Sequence, residues 1–175
     1  HGDVLEVGAG TGINLPFYPR GLTSLTLTEP DPFMRKKADA RAKELGTDAR
    51  FVPAPVEELP FPDASFDTVV ATLLLCSVPS AEAALASIRR VLKPNGVFLF
   101  LEHVAAEDDP GRLVWQKRIE PFWTILAEGC RLTCHTLETI RASGFVVDDP
   151  KRESMRKAMP FLRPTVRGVA KKANA

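Results

Sequence analysis

Apolar positions along the first hundred residues come in short clusters separated by polar stretches with helical spacing. Val4–Val7 is an apolar run ending at Gly8, and "SLTLTEP" alternates apolar and polar before Glu29-Pro30, so both read as strands. The stretch from Asp31 to Gly46 predicts a helix. Asp31 suits the cap, Pro32 the first helical position and Gly46 the C-terminal stop. "ARFVPAP" predicts a third strand and "LPFPDAS" a loop. "FDTVVATLLL" predicts a strand buried on both faces. A helix is expected from a Ser80 cap to a turn at Pro94-Asn95-Gly96, followed by the buried strand "VFLFLEHV".

Strand and helix therefore alternate as far as Val104, a pattern that predicts a doubly wound, Rossmann-like α/β sheet that is mostly parallel. Beyond Val104 the rhythm changes. "DDPGRLVWQKRIEPFWTILAEG" reads as a longer helical segment interrupted by proline. "HTLETIRASG" reads as a helix, and "FVVDD" and "TVRGVAKKA" as strands that end the sheet in antiparallel fashion. Trp115, Phe122 and Trp123 fall at the spacing of one helix face, for which core packing is the default and a hydrophobic lid the other reading. Residues 1–175 read as one domain, with a ligand-binding half at 1–104 and an acceptor-side half at 105–175. The chain starts without Met, one residue before its first strand motif, and a preceding segment is expected.

Composition narrows the function only a little. Formal net charge is +1, which implies no general attraction to nucleic acid. Arg and Lys gather in "KRESMRK" and "VRGVAKK", read as solvated surface, with peripheral membrane contact left open. No apolar run reaches the length of a transmembrane helix, and no signal peptide is visible. Three cysteines form no disulfide framework and suit a reducing, cytoplasmic setting. Cys130, Cys134 and His135 do not assemble a metal set, because a structural zinc site needs four ligands.

The chemistry concentrates in "EVGAGTG". Gly8, Gly10 and Gly12 lie where a strand ends, and ligands of open α/β sheets sit beyond the carboxyl ends of strands. Glycine there permits positive φ and close approach to backbone, and a following helix is expected to point free N–H groups at the ligand. A dinucleotide fingerprint would place its third glycine where this chain has Ile13. Glu6, an acid inside an apolar strand, would repel a pyrophosphate and favour an ammonium or sulfonium. Glu29, 21 positions after Gly8 at the end of the second strand, suits the hydroxyls of a ribose.

As a set, "VLEVGAGTG", "LTEPDP", "FDTVVATLLLCSVP" and "VLKPNGVFLFLEHV" resemble the successive motifs of class I S-adenosylmethionine-dependent methyltransferases. "NLPFYP", "TLLLCSV", "LEHVAAE", "WQKRIEPFW", "EGCRLT" and "RPTVRGVAKK" extend the resemblance to the methyltransferase-like thiol S-methyltransferases. The resemblance implies S-adenosyl-L-methionine as cofactor. Gly8, Ala9, Gly10, Thr11 and Gly12 would hold its methionine part, helped by Glu6 and Asn14. Glu29 would bind the ribose, with Pro30 and Met34 near the adenine. Many relatives carry an acid where this chain has Pro55, so the adenine amino contact would fall to the Val56 backbone or to Glu57. Thr72 and Leu73 would serve the methionine end. The family usually carries Arg where this chain has Cys134. His103 ends the fifth strand, where, backed by Glu102, it can take a proton or orient an acceptor, or simply pack. Cys76 reads as a small buried hydrophobe. The expected activity is methyl transfer to a small molecule, a thiol first. C- or N-methylation of a quinone or lipid-like acceptor, and a cofactor-binding module without catalysis, stand as alternatives.

Overall fold

The computed structural model describes residues 2–127 and 129–173. Their strands are β1 (Asp3–Val7), β2 (Ser24–Thr28), β3 (Arg50–Val52), β4 (Phe66–Thr72), β5 (Leu92–His103), β6 (Phe145–Ser154) and β7 (Pro164–Lys172). They form one mixed sheet in the order β3-β2-β1-β4-β5-β7-β6. β1 to β5 are mutually parallel, while β7 runs antiparallel to both β5 and β6. The chain is thus the α/β protein its alternation predicts, with the antiparallel ending expected after Val104.

Side-chain alternation divides the core between the two sheet faces. On one face, Leu5, Val7, Val69, Ala71, Phe98 and Phe100 pack against helix α2 (Ala81–Val91) and helix α4 (Thr136–Ala142). Their helix partners Leu85, Ile88 and Ile140 are completely buried. On the other face, Val4, Leu25 and Leu27 pack against Ala42 of helix α1 (Pro32–Leu45).

The helix ends follow their local chemistry. The Asp31 carboxylate accepts the Met34 N–H at 2.7 Å, and Gly46 stops α1 at φ 63°. The Ser80 hydroxyl accepts the Ala83 N–H at 3.1 Å. Helix α3 (Pro110–Leu126) is capped by Asp109, which accepts the Arg112 N–H at 3.0 Å, and it runs through Pro121 without a break. No helix among the described residues is long and apolar enough to cross a membrane.

Three expectations are corrected. No α-helix follows the glycine turn; a single 3₁₀ turn at Leu15–Phe17 takes its place. Pro19 and Gly21 come too soon for a helix to propagate, since proline inside a helix lacks the N–H and clashes with the preceding turn. Helix α2 ends at Val91, and Leu92 to Gly96 already belong to β5. Lys93 fixes that stretch by bonding Asp67 at 2.8 Å and Asp3 at 3.3 Å, two partners remote in sequence. Finally, Trp115 and Phe122 are not core residues: they are 62% and 70% exposed, and only Trp123 is half-buried, edge-on to Phe161.

The two sheet edges differ. β3 has three residues and leads into Pro53. β6 is long but its register against β7 shifts between Asp148 and Lys151, with Asp149 at φ 46°.

Candidate active site

Parallel strands bring the carboxyl ends of β1, β2, β4 and β5 to one rim, and the sequence-predicted residues gather there. The turn after β1 uses all three glycines in the left-handed region, with φ 63°, 54° and 74° at Gly8, Gly10 and Gly12. Two of them are packing positions. A Cβ on Gly8 would run into Leu74, and one on Gly12 would lie 2.6 Å from Leu15 and 3.2 Å from Ala38. Gly10 differs: a Cβ there would meet nothing within 4 Å. The turn thus offers open space at its middle glycine and is wedged by its neighbours at the other two. Ala9 is buried and anchors the turn to β2 through its N–H to the Thr28 carbonyl, 2.9 Å; Thr11 is half-buried.

Glu6 is 2% exposed, and both of its oxygens are engaged. One accepts Asn14 Nδ2 at 2.8 Å and the other accepts the Tyr18 hydroxyl at 2.8 Å. Asn14 Nδ2 also donates to Thr72 Oγ1 at 3.0 Å, joining the turn to the end of β4. Burial raises the Glu6 pKa, and the two donors oppose that shift. Burial and the Glu6 carboxylate raise the Tyr18 phenol. Sequence reading missed Tyr18. The available signal was that an acid buried in an apolar strand requires donors, and Tyr18 is the one tyrosine of the chain.

Glu29 is also buried. Its carboxylate accepts the Gly10 N–H at 2.8 Å and the Asp31 N–H at 3.0 Å, tying the open centre of the turn to the exit of β2. Pro30 beside it is exposed and Met34 half-buried. Val56 is buried within a short 3₁₀ turn (Val56–Glu58) packed on α2, and Glu57 keeps one buried carboxylate oxygen without a hydrogen-bond partner.

Beyond Thr72 the chain turns sharply. Leu73 adopts φ 54°, a costly conformation for a residue with a side chain, and its N–H reaches the Leu101 carbonyl at 2.7 Å. Glu102 holds the next residues. It is fully buried, one oxygen accepting the Leu74 and Leu75 N–H groups at 3.0 Å each and the other the Cys76 N–H at 3.4 Å. Burial pushes its pKa up to about 7, against the opposing pull of those amides.

His103, the next residue, projects to the opposite sheet face, so Glu102 does not back it. His103 is 8% exposed, its Nδ1 has no hydrogen-bond partner, and burial lowers its pKa. Burial thus disfavours its charged form, against the opposing pull of the Pro164 and Leu162 backbone. Of the cysteines, Cys76 and Cys130 are buried, while Cys134 is half-buried and lines a cavity of about 260 Å³ with Glu120, Arg131 and Thr136.

Residues 5–100 match the methyltransferase domain family. The chain is 38% identical over 173 residues to the human thiol S-methyltransferase TMT1A, covering 97% of this chain and 70% of that protein. It is 41% identical over 146 residues to human TMT1B, covering 81% of this chain and 59% of that one. Its fold superposes with a TM-score of 0.78 on a SAM-dependent methyltransferase from Methanosarcina mazei, at 21% identity, covering 98% of this chain and 92% of that one.

Proposed function

Because the chain belongs to the S-adenosylmethionine-dependent methyltransferases, in the family of the thiol S-methyltransferases TMT1A and TMT1B, we propose that it methylates a small thiol. The observation that carries this reading is the shortage of free bases at the rim. The carboxylates of Glu6, Glu29 and Glu102 are all engaged by protein donors. His103 and Glu57 each keep one side-chain polar atom without a protein partner, and in both that atom is buried. Such a site suits an acceptor that supplies its own nucleophile, and a thiol is already partly ionised near neutral pH. Three free cysteines and a net charge of +1 suit the same reading: a reducing cytoplasm and a small-molecule partner rather than nucleic acid.

The residues fit the cofactor. The space over Gly10 is what a ligand approaching backbone requires, and the carboxylate beside it is what ribose hydroxyls require. When bound, S-adenosylmethionine supplies an activated methyl on a sulfonium, so the protein's task is alignment. In this reading the Gly8–Gly12 turn, Asn14, Thr72 and Leu73 hold the methionine end, and Glu6 keeps that turn in place and contributes negative charge. Glu29 holds the ribose, while Pro30, Met34, Val56 and Glu57 border the adenine. His103 orients the acceptor or receives its proton.

Two measurements test this. Glu29→Ala is expected to weaken cofactor binding by about 1.5–3 kcal/mol, the value of hydrogen bonds to a charged group, with Glu29→Gln intermediate. Calorimetry reads it, and unchanged affinity in both variants moves the ribose site elsewhere. The acceptor is tested by the pH–rate profile with a small alkyl thiol, once cofactor binding is established. Turnover is expected to rise with pH toward the pKa of the thiol used, which lies above the value of about 8.5 for a cysteine side chain when the thiol is a simple alkyl one. His103→Ala is expected to keep about a tenth of it or more, whereas an essential base is worth about 10²–10⁴-fold. Absence of thioether at every pH, with turnover of a quinone or a phospholipid amine instead, overturns the thiol assignment.

A further inference from the structure

Cys76 follows β4 by four residues, and Cys130 lies in the irregular stretch after α3, yet their Sγ atoms are 3.7 Å apart. A disulfide needs about 2.05 Å, so the sulfurs must close by about 1.7 Å. The two backbones are tied side by side. The Arg131 N–H donates to the Cys76 carbonyl at 2.9 Å, and its guanidinium donates to the Val78 carbonyl at 3.0 Å. Cys134, by contrast, directs its thiol to the Arg131 carbonyl at 3.6 Å.

We infer that Cys76 and Cys130 form a redox pair that exchanges with small-molecule disulfides, cross-linking the β4 exit to the segment after α3. The pairing divides the labour between the sulfurs. Cys130 is the more reachable of the two at 8% exposure, and its contact with the Cys76 sulfur lowers its pKa. Cys76 is completely buried, and its pKa is raised by that contact, by burial and by the Glu102 charge. The Cys130 thiolate attacks one sulfur of R–S–S–R, the S–S bond breaks, and RS⁻ leaves and takes up the proton Cys130 lost. Cys76 then gives up its proton, and its thiolate attacks Cys130 Sγ and expels the second RS⁻, which that proton neutralises. Two protein thiols lose two electrons in all, and the small disulfide gains them as two RSH.

Cys76 sits in the loop whose amides Glu102 holds, so closing the bridge pulls on the rim at Leu74 and Leu75. If the acceptor is a thiol, which rests on the function proposed above, its own disulfide is the oxidant. The enzyme is then slowed when its substrate pool is oxidised.

The test treats the whole chain with cystamine or oxidised glutathione, then alkylates and digests with trypsin under non-reducing conditions. Trypsin separates the three cysteines, with Cys76 in Phe51–Arg89, Cys130 in Ile119–Arg131 and Cys134 in Leu132–Arg141. The expected product joins the first two peptides with the loss of two hydrogens. It reverts with a phosphine, chosen because a thiol reductant is itself a candidate acceptor. Cys130→Ser should give no cross-link, and wild-type turnover should fall about tenfold on oxidation and recover with phosphine. Modification of Cys134 alone, or a cross-link seen only in urea, overturns the pair. A complete cross-link with unchanged turnover overturns its effect on the rim. The peptide measurement needs no methyl acceptor, so a chain inactive toward thiols but still cross-linked refutes the function and leaves the pair standing.

Discussion

Gly10→Val is expected to abolish cofactor binding, lowering affinity by about a hundredfold or more, in a chain that still folds. Gly10 has φ 54° and open space around the position of a Cβ. The Cβ of a valine therefore meets no other segment of the protein. Its cost to the fold is that of a branched residue held at positive φ, about 1–3 kcal/mol. Its branched methyls occupy the space left for the ligand, and the Gly10 N–H that meets Glu29 is displaced with the strained backbone. The neighbouring glycines provide the contrast. Gly8→Val meets Leu74, and Gly12→Val meets Leu15 and the α1 backbone at Ala38, so both are expected to lose the fold along with the ligand. Calorimetry with S-adenosylmethionine, beside circular dichroism melts of the three variants, separates the effects. Affinity in Gly10→Val within threefold of wild type would show that the ligand does not approach this turn.

The second large effect concerns Glu102. Its replacement by alanine leaves three N–H groups of Leu74, Leu75 and Cys76 without their acceptor. Unsatisfied buried donors cost about 1–3 kcal/mol each. A total loss of about 3–5 kcal/mol is a large part of an ordinary domain's stability of about 5–15 kcal/mol. Glu102→Gln keeps an acceptor oxygen and removes the titration, which allows a sharper measurement. The folded pKa is raised from 4.5 to about 7 by burial, so between those values the folded state binds more protons than the unfolded state. This group's contribution to stability therefore falls as pH rises through that window, by on the order of 3 kcal/mol across it. Urea melts at intervals from pH 4.5 to 8 should show that decline in wild type and lack it in Glu102→Gln. Parallel profiles for the two proteins would mean that Glu102 titrates in its ordinary range.

What the sequence disclosed and what it withheld divide along one physical line. Caps at Asp31, Gly46 and Ser80 were legible because they act on backbone three or four residues away. The glycine turn, Glu6 and Glu29 were legible because a strand end, a buried acid and a fixed distance each carry meaning without a partner. The partners themselves were not. Glu102 was read as backing its neighbour, yet its carboxylate serves amides 26 to 28 positions earlier, a pairing that exists only once β4 and β5 lie side by side. Helical spacing correctly aligned Trp115 and Phe122, but periodicity cannot say whether anything covers the face it defines. The start of β5 at Leu92 was hidden for the same reason: a sequence reading as a turn is pulled into the sheet by Asp3 and Asp67. The missing helix after Gly12 is the exception, for the prolines that forbid it were in plain view.

The unequal edges of the sheet bear on how the protein behaves when concentrated. An open edge is a row of unpaired peptide groups, a template on which a second molecule can lay a strand. At β3 the template is three residues long and gives way to proline, which cannot donate. At β6 the template is long, but Asp149 at φ 46° and Pro150 break its line, and Asp148, Lys151, Arg152 and Glu153 put both signs of charge along it. Neither side offers a straight, uncharged run, so end-on strand addition into fibrils is blocked at both margins. Crowding in the test tube should therefore be tolerated until the exposed apolar face of α3, rather than the backbone, begins to bring molecules together.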